Sequence, residues 1–492
     1  MLNKSFFALA LSASLLNANA QDFIDITKQS ADKNATKISI SGYLGGFDYS
    51  KIALYTKAEQ LKVYNAAGIN FDSIFVYSAK LKALKNLEIT GCRFNALPNS
   101  LALVSQIEHL NLSNNSLSAF ATQNLHTLPD AITKLNLRSL DLSQNGQLDS
   151  IAILNQLAKL PNLKILRLAQ CEMQSLPSAI GSLKALKVLD LRGNALSSLP
   201  EAIGNLTELE ELNLSVLGIG LRNNKLTKLP QSIGNLTKLK KLDLKGNSLT
   251  GLPANFSQLQ QLEYLDFEQN SLPDFPASLT KLTKLTYLNL NQNTLINLPA
   301  NIGDLSNLVE LRLDNIFRNH FSKKIKNLPL SITKLSKLQV LTLRDNVIEE
   351  LPENIGYLSH LQHLDLRDNL FSSLPESLCE LKNLRYLNLK ANELILVPTC
   401  IGQLGALEDL TLAFNPALKV ERYFSVIKDL KNLKFLDVSY NNLSKEQLSV
   451  VINELPNCRI VNLGASDKGG AVPQESMKGQ EFWNSAPPDR KK

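Results

Sequence analysis

The chain is poor in the residues that usually carry chemistry. Its 492 residues include one tryptophan, three methionines, five histidines and five cysteines, and aromatic side chains make up only 6%. No Ser-His-Asp or Cys-His grouping stands out and no glycine-rich phosphate loop is present, so an enzyme is not expected. His360 and His363 form an H-x-x-H pair. On a strand, however, residues three apart face opposite sides, and His363 shares its face with Asp365 without a third ligand. Neither a metal site nor a cofactor is therefore expected. Charge of one sign is also missing: Lys and Arg number 52 against 45 Asp and Glu, and the net +7 is spread along the chain. That distribution excludes a basic nucleic-acid-binding domain. After residue 20 no apolar run reaches the ~18 residues a membrane span needs, so no transmembrane segment is expected.

The cysteines are Cys92, Cys171, Cys379, Cys400 and Cys458, an odd number that leaves at least one thiol unpaired. Cys379 and Cys400 lie in adjacent repeats but differ by two positions in register. The spacing leaves open whether they are bridged, since a bridge needs Cα atoms within about 7 Å.

What is present is leucine at fixed intervals. Leu239, Leu262, Leu285 and Leu308 stand 23 residues apart, and each opens a copy of L-x-x-L-x-L-x-x-N. Counted from Leu84, openings fall at 84, 107, 137, 163, 186, 209, 239, 262, 285, 308, 338, 361, 384, 407, 433 and 458, about sixteen units. Leu61, 23 residues before Leu84, suggests a weak earlier copy. Side chains on a strand alternate, so Leu242 and Leu244 point inward while Lys241, Asp243 and Lys245 face outward. One unit cannot cover its own leucines; stacked neighbours cover them. The ninth-position Asn, as at Asn194, Asn224, Asn247, Asn270, Asn293, Asn346, Asn369, Asn392, Asn415 and Asn441, can satisfy turn backbone that stacking buries. Cys92 and Cys171 occupy that position, while Cys458 takes an opening position and should be buried.

The unit L-x-x-L-x-x-L-x-L-x-x-N-x-L-x-x-L-P-x-x-I-G-x-L, intact over Leu183–Leu206, resembles the 23-residue class of leucine-rich repeat proteins. Similar copies occur in plant intracellular Ras-group repeat proteins, scribble-type scaffold proteins and secreted bacterial repeat proteins. The resemblance covers residues 84–463. It implies an α/β fold: a right-handed solenoid (horseshoe) with a parallel β-sheet on the concave face and protein binding on that face. Enzymes of the family carry catalysis in an added domain, for which this chain has no room.

The flanks differ from the repeats. Residues 1–20, with Lys4, the apolar run Phe6 to Leu16 and Ala18-Asn19-Ala20, fit a secretory signal peptide. A secreted or periplasmic protein is expected, and the short leader favours a Gram-negative bacterium. Residues 21–83 form an N-terminal cap and weak first repeat, with a short strand at Ile38–Ser41. Residues 464–492, rich in Gly, Ser, Pro and charge, should be a disordered tail.

Intervals of 30 at Leu209 and Leu308 insert seven residues after the strand. They predict protruding loops at Ser215–Leu221 and Asn315–Phe321. Between them, Tyr264 and Tyr287 occupy third positions of adjacent units. Tyrosines flanked by charge match binding hot spots. The candidate partner-binding residues are Glu211, Lys241, Tyr264, Tyr287, Glu310, Arg312, Phe317 and Phe321. The expected function is that of an exported, monomeric, non-catalytic recognition module that binds a protein partner, with host or neighbouring-cell proteins among the candidates. The alternative is a structural spacer or scaffold of the bacterial envelope.

Overall fold

The structure, a computed structural model, describes residues 23–463 apart from 29–31, 93, 95, 116–124, 126, 147, 217, 219–222, 316–323 and 419–425. The segments 1–20 and 464–492, with Phe317 and Phe321, lie outside the described residues. The chain forms two compact units, Met1–Ile325 with Lys334–Leu338, and Lys326–Thr333 with Gln339–Lys492.

In the first unit, short parallel strands follow one another from Ile24–Asp25 to Glu310–Arg312, each paired with the next in sequence. The pairing keeps the repeat phase: Leu212, Leu242, Leu265, Leu288 and Leu311 lie opposite one another. Fourth- and sixth-position side chains such as Leu242, Leu244, Leu265 and Phe267 are fully buried. Each such burial contributes roughly 1.5–3 kcal/mol, which is why the leucine spacing dictates the stack.

The return arms are mostly 3-10 turns. Pro253 precedes Ala254–Gln258 with extended backbone and lacks a donor that would need satisfying. Where an arm carries Ile-Gly the glycine has a steric cause: a Cβ on Gly204 would lie 2.5 Å from the carbonyl oxygen of Ser232 in the following arm. Among the described residues α-helices replace the 3-10 arm at Phe71–Ser78, capped by Asn70, and at Ser150–Leu157, capped by Asp149.

The strand expected at Ile38–Ser41 is the centre of Lys37–Tyr43, which pairs in parallel with Gln60–Ala67. Leu61 lies opposite Leu87, a fourth position, and not opposite the opening Leu84. The early copy is thus three residues out of the phase expected for an opening at Leu61. Nor does the first insertion protrude from its start. Ser215 is buried, and Val216 continues the ladder by donating its N–H to the Lys245 carbonyl at 2.9 Å. Gly246, at φ +78, accommodates Val216 because a Cβ there would approach it to 2.5 Å.

The second unit repeats this plan from Val340–Thr342 to Arg459–Val461, with an α-helix at Lys445–Glu454 opened by a Ser444–Gln447 capping box. Its last strand sets Arg459 opposite Phe435, one residue away from the phase that would put Cys458 opposite Leu433. Cys458 is accordingly half-exposed, contrary to expectation, whereas Cys92 and Cys171 are buried. Both buried thiols take the place of the ladder amide. Cys171 Sγ, for instance, lies 3.2 Å from the Leu142 carbonyl, and burial pushes its pKa up to about 12.

Cys379 and Cys400 are joined in a disulfide, with Cα atoms 5.9 Å apart. The offset of two positions is the stagger between neighbouring arms. Gly356 approaches the carbonyl of Ser377, 21 residues on, and Cys379 holds the equivalent place against Cys400 at the same separation of 21.

Candidate functional site

The open face of the first unit is built by third, fifth and seventh positions. In the third-position column Glu211, Lys241, Tyr264, Tyr287 and Glu310 are successive Cα partners. All five are half-buried, with the intervening leucines fully inside, so the tyrosines stand on the face as the alternation requires. Their rings stack, with centroids 4.4 Å apart and planes 4° from parallel. Lys241 Nζ lies 5.1 Å from the Tyr264 ring centroid, within cation–π range. On the far side Arg312 Nε pairs with Glu310. The result is a flat aromatic surface with a cation at one edge and an ion pair at the other.

The row beneath it is polar. Tyr264 hydroxyl donates to Asp266 Oδ2 at 3.4 Å, and Lys245 pairs with Glu268 at 3.0 Å. Asn289 Nδ2 donates to Glu268 Oε2 at 3.0 Å. Burial, and then the neighbouring acids, raise both phenol pKa values, so Tyr264 and Tyr287 remain neutral donors. The fifth-position carboxylates serve the turn. Asp190, Asp243, Asp266 and Asp365 each accept the backbone N–H two residues on, as Asn213, Asn289 and Asn388 also do. Asp and Asn interchange there because only the acceptor oxygen is needed.

Burial comes first, and the Asp243 charge second, in pushing the Asp266 carboxyl up from 3.8 to about 6. The folded chain therefore keeps this proton to higher pH than the unfolded chain, and the group costs stability as pH rises through that window. Asp266→Asn should stabilise the protein at pH 7 by on the order of 2 kcal/mol. It should also remove that part of the fall in stability between pH 4 and pH 7, measurable as urea midpoints at the two pH values.

One pairing was missed although its signal was available. His363 and Tyr386 occupy neighbouring third positions in the second unit, and their rings stack at 4.1 Å and 8°. The adjacency rule that singled out Tyr264 and Tyr287 applies there equally. His360 is exposed and lies off that stack. Among the described residues the cluster of metal-ligand types is Glu376, Cys379 and Cys400, and its two sulfurs are consumed by the disulfide.

Stacked parallel strands, buried leucines, an asparagine ladder and tight proline-led arms define a leucine-rich-repeat solenoid of the α/β class. The family description "leucine-rich repeat region" matches residues 115–217, 213–327 and 330–488. The chain belongs to the leucine-rich repeat family. It is similar to a solved leucine-rich repeat protein of Leptospira interrogans, LIC12759, at 29% identity and TM-score 0.66, covering 84% of this chain and 91% of that one. A plant peptide hormone receptor, RGFR1, solved in complex with RGF2, matches at 26% identity and TM-score 0.64, over 90% of this chain and 68% of the receptor. Human volume-regulated anion channel subunit LRRC8B is 30% identical over 130 residues, which is 26% of this chain and 15% of the subunit. The chain thus spans a small fraction of that relative. Among the described residues no helix is long and apolar enough to cross a membrane.

Proposed function

We propose that the protein is an exported, monomeric recognition module that binds a protein partner on the open face of the sheet and catalyses nothing. The site comprises Glu211, Lys241, Tyr264, Tyr287, Glu310 and Arg312, with Phe317 and Phe321 of the second insertion contributing. The observation that carries this reading is the coplanar Tyr264–Tyr287 stack between Lys241 and the Glu310–Arg312 pair. Two rigid aromatic side chains offer large contact area at low entropic cost, and their hydroxyl oxygens can still accept hydrogen bonds. A spacer would have a uniformly polar open face, whereas here aromatics gather at particular columns. The likeness to a peptide-hormone receptor solved with its peptide supports protein binding, and the likeness to a Leptospira repeat protein supports a bacterial source. Export is supported by the leader-like residues 1–20 and by the Cys379–Cys400 bridge, since disulfides persist in oxidising compartments.

The test is affinity capture with the mature chain, wild type against Tyr264→Ala/Tyr287→Ala. Recovery of the partner should fall at least about tenfold, the scale expected when a paired hot spot is truncated. Undiminished recovery by the folded double variant would remove the site.

A further inference from the structure

The second unit carries a third-position column of its own: Val340, His363, Tyr386, Asp409, Phe435 and Arg459, in pairing order. Asp409 sits in it between two aromatic residues. The other acids of this face have partners: Asp365 pairs with Arg367 at 3.2 Å, and Asp437 accepts the Ser439 N–H at 3.0 Å. Asp409 differs. Its Oδ1 is buried without a hydrogen-bond partner, and among the described residues no Lys, Arg or His pairs with it. The charge acting on it is that of a second acid, Asp437.

We propose that Asp409, flanked in its column by Tyr386 and Phe435, receives a lysine or arginine side chain of a protein partner. Asp409 as a whole is half-buried, so a cationic side chain can reach its carboxylate from the open face and supply the charge that no described residue provides. Aromatic faces next to a carboxylate favour the same ligand through their quadrupoles. A metal ion fits less well, because no group of three ligand-type residues surrounds Asp409 among the described residues. The proposal rests on reading the open face as a protein-binding surface, but not on the tyrosine site of the first unit.

Burial, and then the Asp437 charge, push the Asp409 carboxyl up to about 7, so the cation competes with a proton for it. Binding should therefore strengthen about tenfold from pH 6 to pH 8, the change in ionised fraction of such a group. The titratable groups that interact with it are Tyr386, Asp437 and Cys458, and Arg459 stands two strands further along the column. Asp409→Asn retains all of these and should flatten the pH response.

The experiment probes the full mature chain with arrayed twelve-residue peptides, each paired with a copy in which Lys and Arg are replaced by Gln. The chain's own net charge of +7 works against non-specific capture of basic peptides. The expected result is retention of Lys- or Arg-containing peptides at pH 8, at least tenfold weaker for their Gln copies and for Asp409→Asn. That preference should persist in Asp409→Glu and in Tyr264→Ala/Tyr287→Ala. Equal retention by folded Asp409→Asn, checked by circular dichroism, overturns the proposal. Retention without preference for Lys or Arg overturns it too, while leaving protein binding in place. If the wild type retains no peptide, the proposal fails, and the capture experiment above decides separately whether the protein-binding reading survives.

Discussion

Asn270→Ala should lower stability by about 3 kcal/mol, a large effect for one small side chain. Asn270 is buried, and its Nδ2 donates to the carbonyls of Leu244, in the preceding repeat, and Phe267, in its own, at 3.0 and 3.2 Å. Its Oδ1 accepts the Leu249 N–H at 3.0 Å. The carbonyls are shared, since Leu244 also receives Asn247 and Phe267 also receives Asn293. The Leu249 N–H has Asn270 as its acceptor, and alanine leaves it unpaired where water does not reach. An orphaned buried donor costs about 1–3 kcal/mol, and the weakened carbonyls and small cavity add to that. Asn270→Asp should be at least as damaging, because a carboxylate offers the carbonyls no donor and buries a charge. Urea midpoints measure the loss, and faster exchange of the Leu249 amide would locate it. A change within about 0.5 kcal/mol, the size expected of surface substitutions, would show that the ladder adds little.

Breaking the Cys379–Cys400 bridge should cost about the same. The bridge spans a separation of 21 residues. Loop closure of that length in the unfolded chain corresponds to about 3 kcal/mol. Cys379→Ser/Cys400→Ser, or reduction through the half-exposed Cys400, should shift the urea midpoint of the second unit downward. The pairing itself is checked by alkylating the denatured chain. With Cys92, Cys171 and Cys458 free, three thiols should react before reduction and five after it. Five labelled thiols without reductant would contradict the bridge.

Much of the fold is legible because one physical demand recurs: each unit must bury the same leucines against the next. From that spacing follow which side chains face inward, which stand on the open face, and that Tyr264 and Tyr287 are neighbours. The role of the ninth-position asparagines follows as well, and the structure extends the ladder to Asn115 and Asn145. Where the period loosens, the reading slips. Leu61 and Cys458 flank the regular array, and each lies out of the phase that spacing alone assigns.

The sequence by itself determined the strand phase, the buried set and the column order, since these depend only on which positions are apolar and on the alternation of a strand. Only the tertiary structure decided the ring stacking of His363 on Tyr386, the bridge between Cys379 and Cys400, and the unpaired oxygen of Asp409. Those depend on the stagger between neighbouring arms and on what covers each side chain. Both are set by how adjacent units pack, and neither is encoded in the period of any one of them.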